Sequence, residues 1–65
     1  MNWFCEARQQ WIAETIRIFG FINRDHIVKK FAISVPQASL DLREFQKNNP
    51  NAIVYDKSRK TYLVK

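Results

Sequence analysis

The 65-residue chain has few of the residues that small proteins use as staples or as reactive groups. Its one cysteine, Cys5, excludes an internal disulfide, and its one histidine, His26, leaves no Cys/His cluster for a structural zinc ion. Its one glycine, Gly20, excludes a glycine-rich loop around a phosphate. No run of about 18 apolar residues is present, which excludes a membrane-spanning helix. We therefore expect no metal, cofactor, small-molecule ligand or membrane partner.

The groups that could support catalysis are scattered along the sequence. Cys5 falls in a helical stretch without an obvious activating base, so a reduced structural thiol is the simpler interpretation. His26 stands near an expected helix start, where a surface or capping role is typical. Asp41 and Glu44 are interpreted as charges on a helix surface. We predict that the protein is not an enzyme.

The length of the chain limits its organisation and its stability. We expect a single domain, residues 1–65, which buries only about 60% of the surface that its unfolded chain exposes. Aromatic residues or self-association must add stability, and the chain contains five Phe, two Trp and two Tyr. The low cysteine content and the absence of a basic and apolar leader sequence predict a cytoplasmic protein.

The formal net charge of +5 is concentrated towards the end of the sequence. Residues 46–65 contain one acid, Asp56, against Lys47, Lys57, Arg59, Lys60 and Lys65, whereas residues 1–20 are electrically balanced. A basic end beside a neutral one is typical of a protein that docks a polyanion on one side. The alternative is that the charge serves solubility alone.

Apolar spacing and boundary residues predict three helices, over residues 3–19, about 24–31 and about 35–47. Gly20 is expected to end the first helix in a left-handed conformation, and Asn23 and Ser34 are expected to cap the starts of the other two. The third helix should bury Ala38, Leu42 and Phe45, which share one face.

The first helix has more apolar surface than a small core needs. Its expected core face consists of Phe4, Ala7, Trp11, Thr15 and Ile18. Four further apolar residues widen that face: Trp3, Ile12, Ile16 and Phe19. Because a large apolar patch usually marks an interface, Trp3, Ile12 and Ile16 predict the contact surface of a homodimer. The alternative is that the start of the helix frays or packs on the hairpin.

Residues 52–64 have the pattern of a β-hairpin, with strands at 52–55 and 60–64 and a turn at 56–59. Tyr55 and Tyr62 are expected to lie opposite each other, and Phe21-Ile22 to form a brief strand. About three residues separate the second and third helices, the length of the turn in a helix-turn-helix. The predicted fold is mainly α with a small β-hairpin: a winged helix-turn-helix with residues 57–60 as the wing.

A helix-turn-helix lays its second helix in the major groove of DNA, which makes residues 35–47 the expected recognition helix. Candidate base contacts on it are Pro36, Gln37, Ser39, Leu40 and Arg43. Glutamine pairs with adenine and arginine with guanine, while apolar side chains contact the thymine methyl group. The alternative is an ordinary solvated helix face.

Candidate contacts to the DNA backbone surround that helix. They are Arg24, Ser34, Lys47, Lys57, Ser58, Arg59 and Lys60. Lysine and arginine neutralise phosphates, and the helix starts near Arg24 and Ser34 attract anions. For the wing, the alternative is a hairpin made basic to prevent edge pairing.

The sequence resembles the winged helix at the N-terminus of bacterial WYL-domain transcriptional repressors, especially those associated with phage-defence loci. The resemblance spans Trp11 to Tyr62. The segments that carry it are Phe21 to Asp25, Phe31 to Leu42, Asn49-Pro50, Tyr55-Asp56 and Lys60-Thr61-Tyr62. The run Ile33-Ser34-Val35-Pro36-Gln37-Ala38-Ser39-Leu40-Asp41-Leu42 is its most specific part. Ala32 replaces a glycine that is common in that turn.

The resemblance implies a three-helix winged fold that binds duplex DNA as a dimer and represses a nearby promoter. It places Ser34, Pro36, Gln37 and Ser39 in the motif that faces DNA, with Arg43 one turn further along. Because the sequence ends after the hairpin, we expect a free-standing regulator of a phage or mobile element. The alternative is that the sequence is a fragment of a longer protein.

Two other functions remain open at this point. The same fold serves phage excisionase-like or architectural accessory proteins that bend DNA. A winged helix is also used for protein–protein interaction alone.

Overall fold

The computed structural model describes residues 3–65, in which a helix, a short strand and two further helices are followed by a two-stranded hairpin. The helices are α1 (Trp3–Phe19), α2 (Arg24–Phe31) and α3 (Val35–Asn48); the strands are β1 (Phe21–Ile22), β2 (Ile53–Asp56) and β3 (Thr61–Val64). These bounds confirm the predicted class, mainly α with a small β-hairpin. The helix α3 runs one residue further than predicted, and each hairpin strand begins one residue later.

The start of α2 is fixed by a reciprocal pair of hydrogen bonds between Asn23 and His26. The Asn23 side-chain oxygen accepts from the His26 backbone N–H at 3.1 Å, and the Asn23 backbone N–H donates to His26 Nδ1 at 3.2 Å. This is a capping box with histidine in the place of the usual Glu or Gln. The predicted N-cap and the capping interpretation of the lone histidine are both confirmed.

The turns around α2 and α3 depend on left-handed backbone positions. Gly20 ends α1 with φ +81°, and its N–H donates to the Ile16 carbonyl at 2.9 Å. Ala32 ends α2 with φ 54°, which is unusual for a residue with a Cβ. Ser34 then caps α3, accepting from the Gln37 N–H at 3.2 Å, with Pro36 in the first turn. The chain therefore turns from α2 into α3 over residues 32–34.

The three strands form an antiparallel sheet in the order β1-β3-β2. Tyr55 pairs directly with Tyr62 across the hairpin, as predicted. The short β1 pairs Phe21 with Leu63 and Ile22 with Tyr62 on the other side of β3. The hairpin is thus attached to the connection between α1 and α2.

The core lies between the sheet and the inner faces of the helices. Its buried members are Ile12, Ile16, Ile22, Ile27, Ala38, Leu42, Phe45 and Ile53. The predicted inner face of α3, Ala38, Leu42 and Phe45, is confirmed.

The predicted orientation of α1 is wrong, although Trp11 packs against the core as expected. Ile12 and Ile16 are 0% and 6% exposed, so neither can contact a second copy, whereas Phe4 and Ile18 of the expected core face are 66% and 59% exposed. The helix carries two apolar stripes, and the one containing the two isoleucines packs on the core. Of the expected dimer residues, Trp3 alone stays at the surface, 71% exposed.

Candidate nucleic-acid interface

The helix α3 and the hairpin enclose an open groove of about 490 Å³. Ser39 and Arg43 line it from α3, Arg59 and Lys60 from the wing, and Arg24 from the start of α2. The remaining lining residues are Asn23, Asp25, Leu42, Tyr55 and Tyr62. Two candidate base contacts and three candidate backbone contacts therefore share one concave surface.

The groove is electropositive because its cations outnumber its acids. Arg24, Arg43, Arg59 and Lys60 are all exposed, and Asp25 is the one acid among the lining residues. Arg59 makes only a loose ion pair, with its Nε 3.7 Å from the Asp56 carboxylate, and its side chain is 72% exposed. Exposed pairs of this kind contribute little, so the guanidinium stays available to an external anion.

The rings of Tyr55 and Tyr62 line the groove from the hairpin, with centroids 4.9 Å apart. Burial raises the pKa of the Tyr62 phenol, the neighbouring Tyr55 adds to this, and Arg43 opposes it. The phenol therefore stays neutral at physiological pH and offers both a donor and an acceptor. The sequence predicted the pairing of these tyrosines but did not place them among the candidate DNA contacts.

The wing is held in shape by Asp56. One carboxylate oxygen of Asp56 accepts from the Ser58 N–H at 2.9 Å and from the Arg59 N–H at 3.2 Å. The turn closes with Lys60 in a left-handed conformation, φ 53°. Lys57 and Ser58 are exposed at the tip and do not line the groove.

The outward face of α3 carries most of the other candidate residues. Pro36, Leu40 and Lys47 are exposed on the helix beyond the groove lining, with Leu40 55% exposed. An apolar side chain as exposed as Leu40 is available to a partner surface. Ser39 is half-buried at the edge of the groove.

Gln37 is placed differently from the expectation, whereas Ser34 caps α3 as expected. The Ser34 hydroxyl oxygen caps α3 by accepting from the Gln37 N–H. What this position offers to an external anion is therefore mainly the N-terminus of the helix. The Gln37 side chain is half-buried, and its Nε2 donates to Asp41 Oδ1 at 3.0 Å. Gln37 therefore lies towards α1 and outside the groove lining.

Asp41 is the residue that sequence reasoning misjudged most. It is 5% exposed, and its carboxylate pairs with Arg8 of α1, Nε to Oδ2 at 2.6 Å and Nη2 to Oδ1 at 3.3 Å. This hydrogen bond raises the pKa of Arg8 further above its usual value. The interpretation of Asp41 as a surface charge is wrong. One signal in the sequence could have indicated its burial: Asp41 falls on the apolar face of α3, between Ala38 and Phe45.

Two structural findings limit other uses of the surface. Across residues 3–65, no helix is long and apolar enough to cross a membrane. Within the same residues, no group of three or more His, Cys, Asp or Glu is arranged to hold a metal ion.

A family model described as the BrxR transcriptional regulator winged helix-turn-helix domain matches residues 4–65. The chain belongs to this family. The winged helix-turn-helix fold and the resemblance to a repressor module, both expected from the sequence, are thereby confirmed. In this BrxR-type winged helix, α2 and α3 form the helix-turn-helix and the β2–β3 hairpin carries the wing.

Three curated relatives of the BrxR-type domain are named DNA-binding transcriptional repressor CapW. The protein of Escherichia coli (strain KTE188) is 45% identical over 61 residues, which cover 94% of this chain and 20% of the relative. The protein of Pseudomonas aeruginosa is 40% identical with the same coverage, and that of Stenotrophomonas maltophilia is 35% identical over 97% of this chain and 21% of its own. The chain thus spans about one fifth of the length of these relatives.

Proposed function

We propose that this chain binds duplex DNA sequence-specifically as a transcriptional repressor and catalyses no reaction. In this proposal α3 lies in the major groove and the wing, residues 57–60, lies on the backbone. The observation that carries it is the single groove in which Ser39 and Arg43 of the recognition helix face Arg24, Arg59 and Lys60. The name of the relatives, DNA-binding transcriptional repressor, supports it.

Base contacts are proposed for the exposed arc of α3. Arg43 suits guanine, since its guanidinium can pair with O6 and N7, and Ser39 lies beside it at the groove edge. Pro36 and Leu40 are exposed apolar groups suited to thymine methyl groups. Gln37 is also proposed as a base contact, and its amide nitrogen donates to the Asp41 carboxylate.

Backbone contacts are proposed for the cations around this arc. They are Arg24, Lys47, Lys57, Arg59 and Lys60, joined by Ser58 at the wing tip and by the helix start at Ser34. All of these residues are exposed, so they can approach phosphates without rearrangement of the core. Such contacts supply affinity and position without reading sequence.

We propose further that residues 1–65 act as one DNA-binding domain in the cytoplasm, and that two copies pair through α1. Trp3 and Phe4 are exposed at its start with ring centroids 5.1 Å apart, which supports an apolar contact there. A two-fold pair would match a pseudo-palindromic operator. Sedimentation equilibrium of the wild type and of Trp3→Ser tests this pairing, which is wrong if both sediment as monomers at DNA-binding concentrations.

Selection of bound sequences from a random duplex library tests the function. We expect one enriched motif, and Arg43→Ala should cost about 1–3 kcal/mol on the best site while relaxing its specificity. Arg17→Ala, on the exposed surface of α1 outside the groove, is the matched control and should change little. If Arg43→Ala binds both the operator and random DNA as tightly as the wild type does, the assignment of α3 as the recognition helix is refuted.

A further inference from the structure

We propose that Asp41 and Arg8 are positioning residues for DNA recognition: Asp41 fixes the amide of Gln37 in one orientation, and Arg8 fixes Asp41. This inference rests on the proposed function, because it concerns the start of the recognition helix. It assigns a task to the buried ion pair of Arg8 and Asp41, neither of which is among the proposed DNA contacts.

The carboxylate of Asp41 dictates which end of the Gln37 amide faces it. An ionised carboxylate only accepts hydrogen bonds, so Gln37 must present Nε2, 3.0 Å from Oδ1. The Gln37 carbonyl oxygen and the second N–H on Nε2 remain uncommitted by this bond. One N–H and one carbonyl oxygen are the groups with which glutamine pairs to adenine at N6 and N7.

The place of Gln37 on the helix makes this orientation relevant to DNA. Gln37 lies in the first turn of α3, two residues after the helix begins. Residues near the start of a recognition helix are those that reach base edges. The Gln37 side chain is half-buried, so it is held by the protein and still open to a partner.

The helix α1 holds Asp41 by its side chain and by its backbone. Arg8 binds both carboxylate oxygens, and Gln9 Nε2 donates to the Asp41 backbone carbonyl at 2.9 Å. The Arg8 and Asp41 side chains are 11% and 7% exposed, which removes most of the freedom of an ordinary surface pair. A buried ion pair adds little net stability over an apolar pair of the same size, so orientation is its distinctive contribution.

The first test compares selected sequences for the wild type, Asp41→Asn, Gln37→Ala and the double variant. Asparagine offers Gln37 a donor as well as an acceptor, so the Gln37 amide is free to reverse. Asp41→Asn should lower discrimination roughly fivefold or more at one base pair, the same one that Gln37→Ala affects. In the double variant, Asp41→Asn should add nothing further. Glu44→Gln, on the exposed side of the same helix, is the control and should leave the motif unchanged.

A second variant separates positioning from folding. Arg8→Met combined with Asp41→Leu replaces the ion pair with apolar side chains, and we expect it to melt at or above the wild-type temperature. Its selected motif should still lose discrimination at the Gln37 base pair, with an unchanged salt slope. A folded double variant with the wild-type motif overturns the inference. A wild-type chain that enriches no motif overturns the proposed function instead.

A third measurement needs no variant. In the wild-type protein, ¹⁵N relaxation of the side-chain amides should show Gln37 to be restricted and Gln10, which is exposed on α1, to be mobile. Equal mobility of the two amides overturns the inference.

Discussion

Tyr62 lies directly opposite Tyr55 on the hairpin, with the ring centroids 4.9 Å apart, and both rings line the groove that contains Arg43. The two tyrosines therefore lie between the wing and α3, and one of them also packs on the core. Tyr62 packs against the buried cluster, while Tyr55 is exposed. A change of charge on this pair would therefore affect both stability and the potential of the groove.

Alkaline pH should destabilise the protein through Tyr62. Burial raises the pKa of its phenol above the ordinary value of 10.0, so the unfolded chain loses this proton at a lower pH than the folded one. The stabilisation is complete below about pH 10 and is lost as the pH rises through the folded pKa. Urea unfolding between about pH 9 and pH 11 should show a steeper decline for the wild type than for Tyr62→Phe. Identical slopes would contradict this assignment.

Removal of one partner of the Arg8–Asp41 pair should strongly destabilise the fold. With Arg8 and Asp41 only 11% and 7% exposed, Arg8→Met leaves a desolvated carboxylate, and we expect a loss of about 3–5 kcal/mol. Asp41→Leu in the same chain should recover that loss in full. Chemical denaturation of the two single variants and the double variant measures both effects. A single variant that loses less than about 1 kcal/mol would show that the pair is not desolvated in solution.

Glycine at position 32 should stabilise the protein. Ala32 holds φ 54° at the end of α2, where a Cβ is strained by about 1–2 kcal/mol. Glycine removes that strain but adds freedom to the unfolded chain, so we expect a net gain of about 0.5–1 kcal/mol for Ala32→Gly. Thermal unfolding measures it. Ala13→Gly, at an exposed position inside α1, is the control and should instead cost about 1 kcal/mol.

Changes in the wing should weaken binding to all DNA sequences alike. Arg59 lines the groove and Lys57 is exposed at the tip, and the proposed function assigns each of them to a phosphate rather than to a base. Arg59→Ala and Lys57→Ala should each lower the salt slope of binding by about 1. Titrations of operator and random duplexes at several salt concentrations give that slope. A loss confined to the operator would place these side chains against bases.

Local signals in the sequence were sufficient to predict the helices and strands and part of the groove lining. Gly20, Asn23 and Ser34 mark boundaries through backbone geometry and short-range hydrogen bonds, which depend on near neighbours alone. Ser39 and Arg43 were expected beside the wing because the wing of a winged helix lies next to its recognition helix, and both line the groove with Arg59.

The errors concern side chains whose surroundings come from distant residues. Two apolar stripes on α1 have the same helical period, and only contact with the other elements decides that Ile12 faces inward and Ile18 outward. Asp41 is buried because Arg8, 33 positions earlier, neutralises it. The direction of Gln37 follows from Asp41, so it could not be foreseen once that acid was assigned to the surface.

The order of strands has a consequence for synthesis of the chain. β3 lies between β1 and β2, yet it leaves the ribosome after every other element described for residues 3–65. Until residues 61–64 emerge, Ile22 and Ile53 belong to strands that lack their shared neighbour. The three-stranded sheet therefore cannot be completed before β3 emerges, and a chain stalled before Thr61 should stay open to proteases and chaperones.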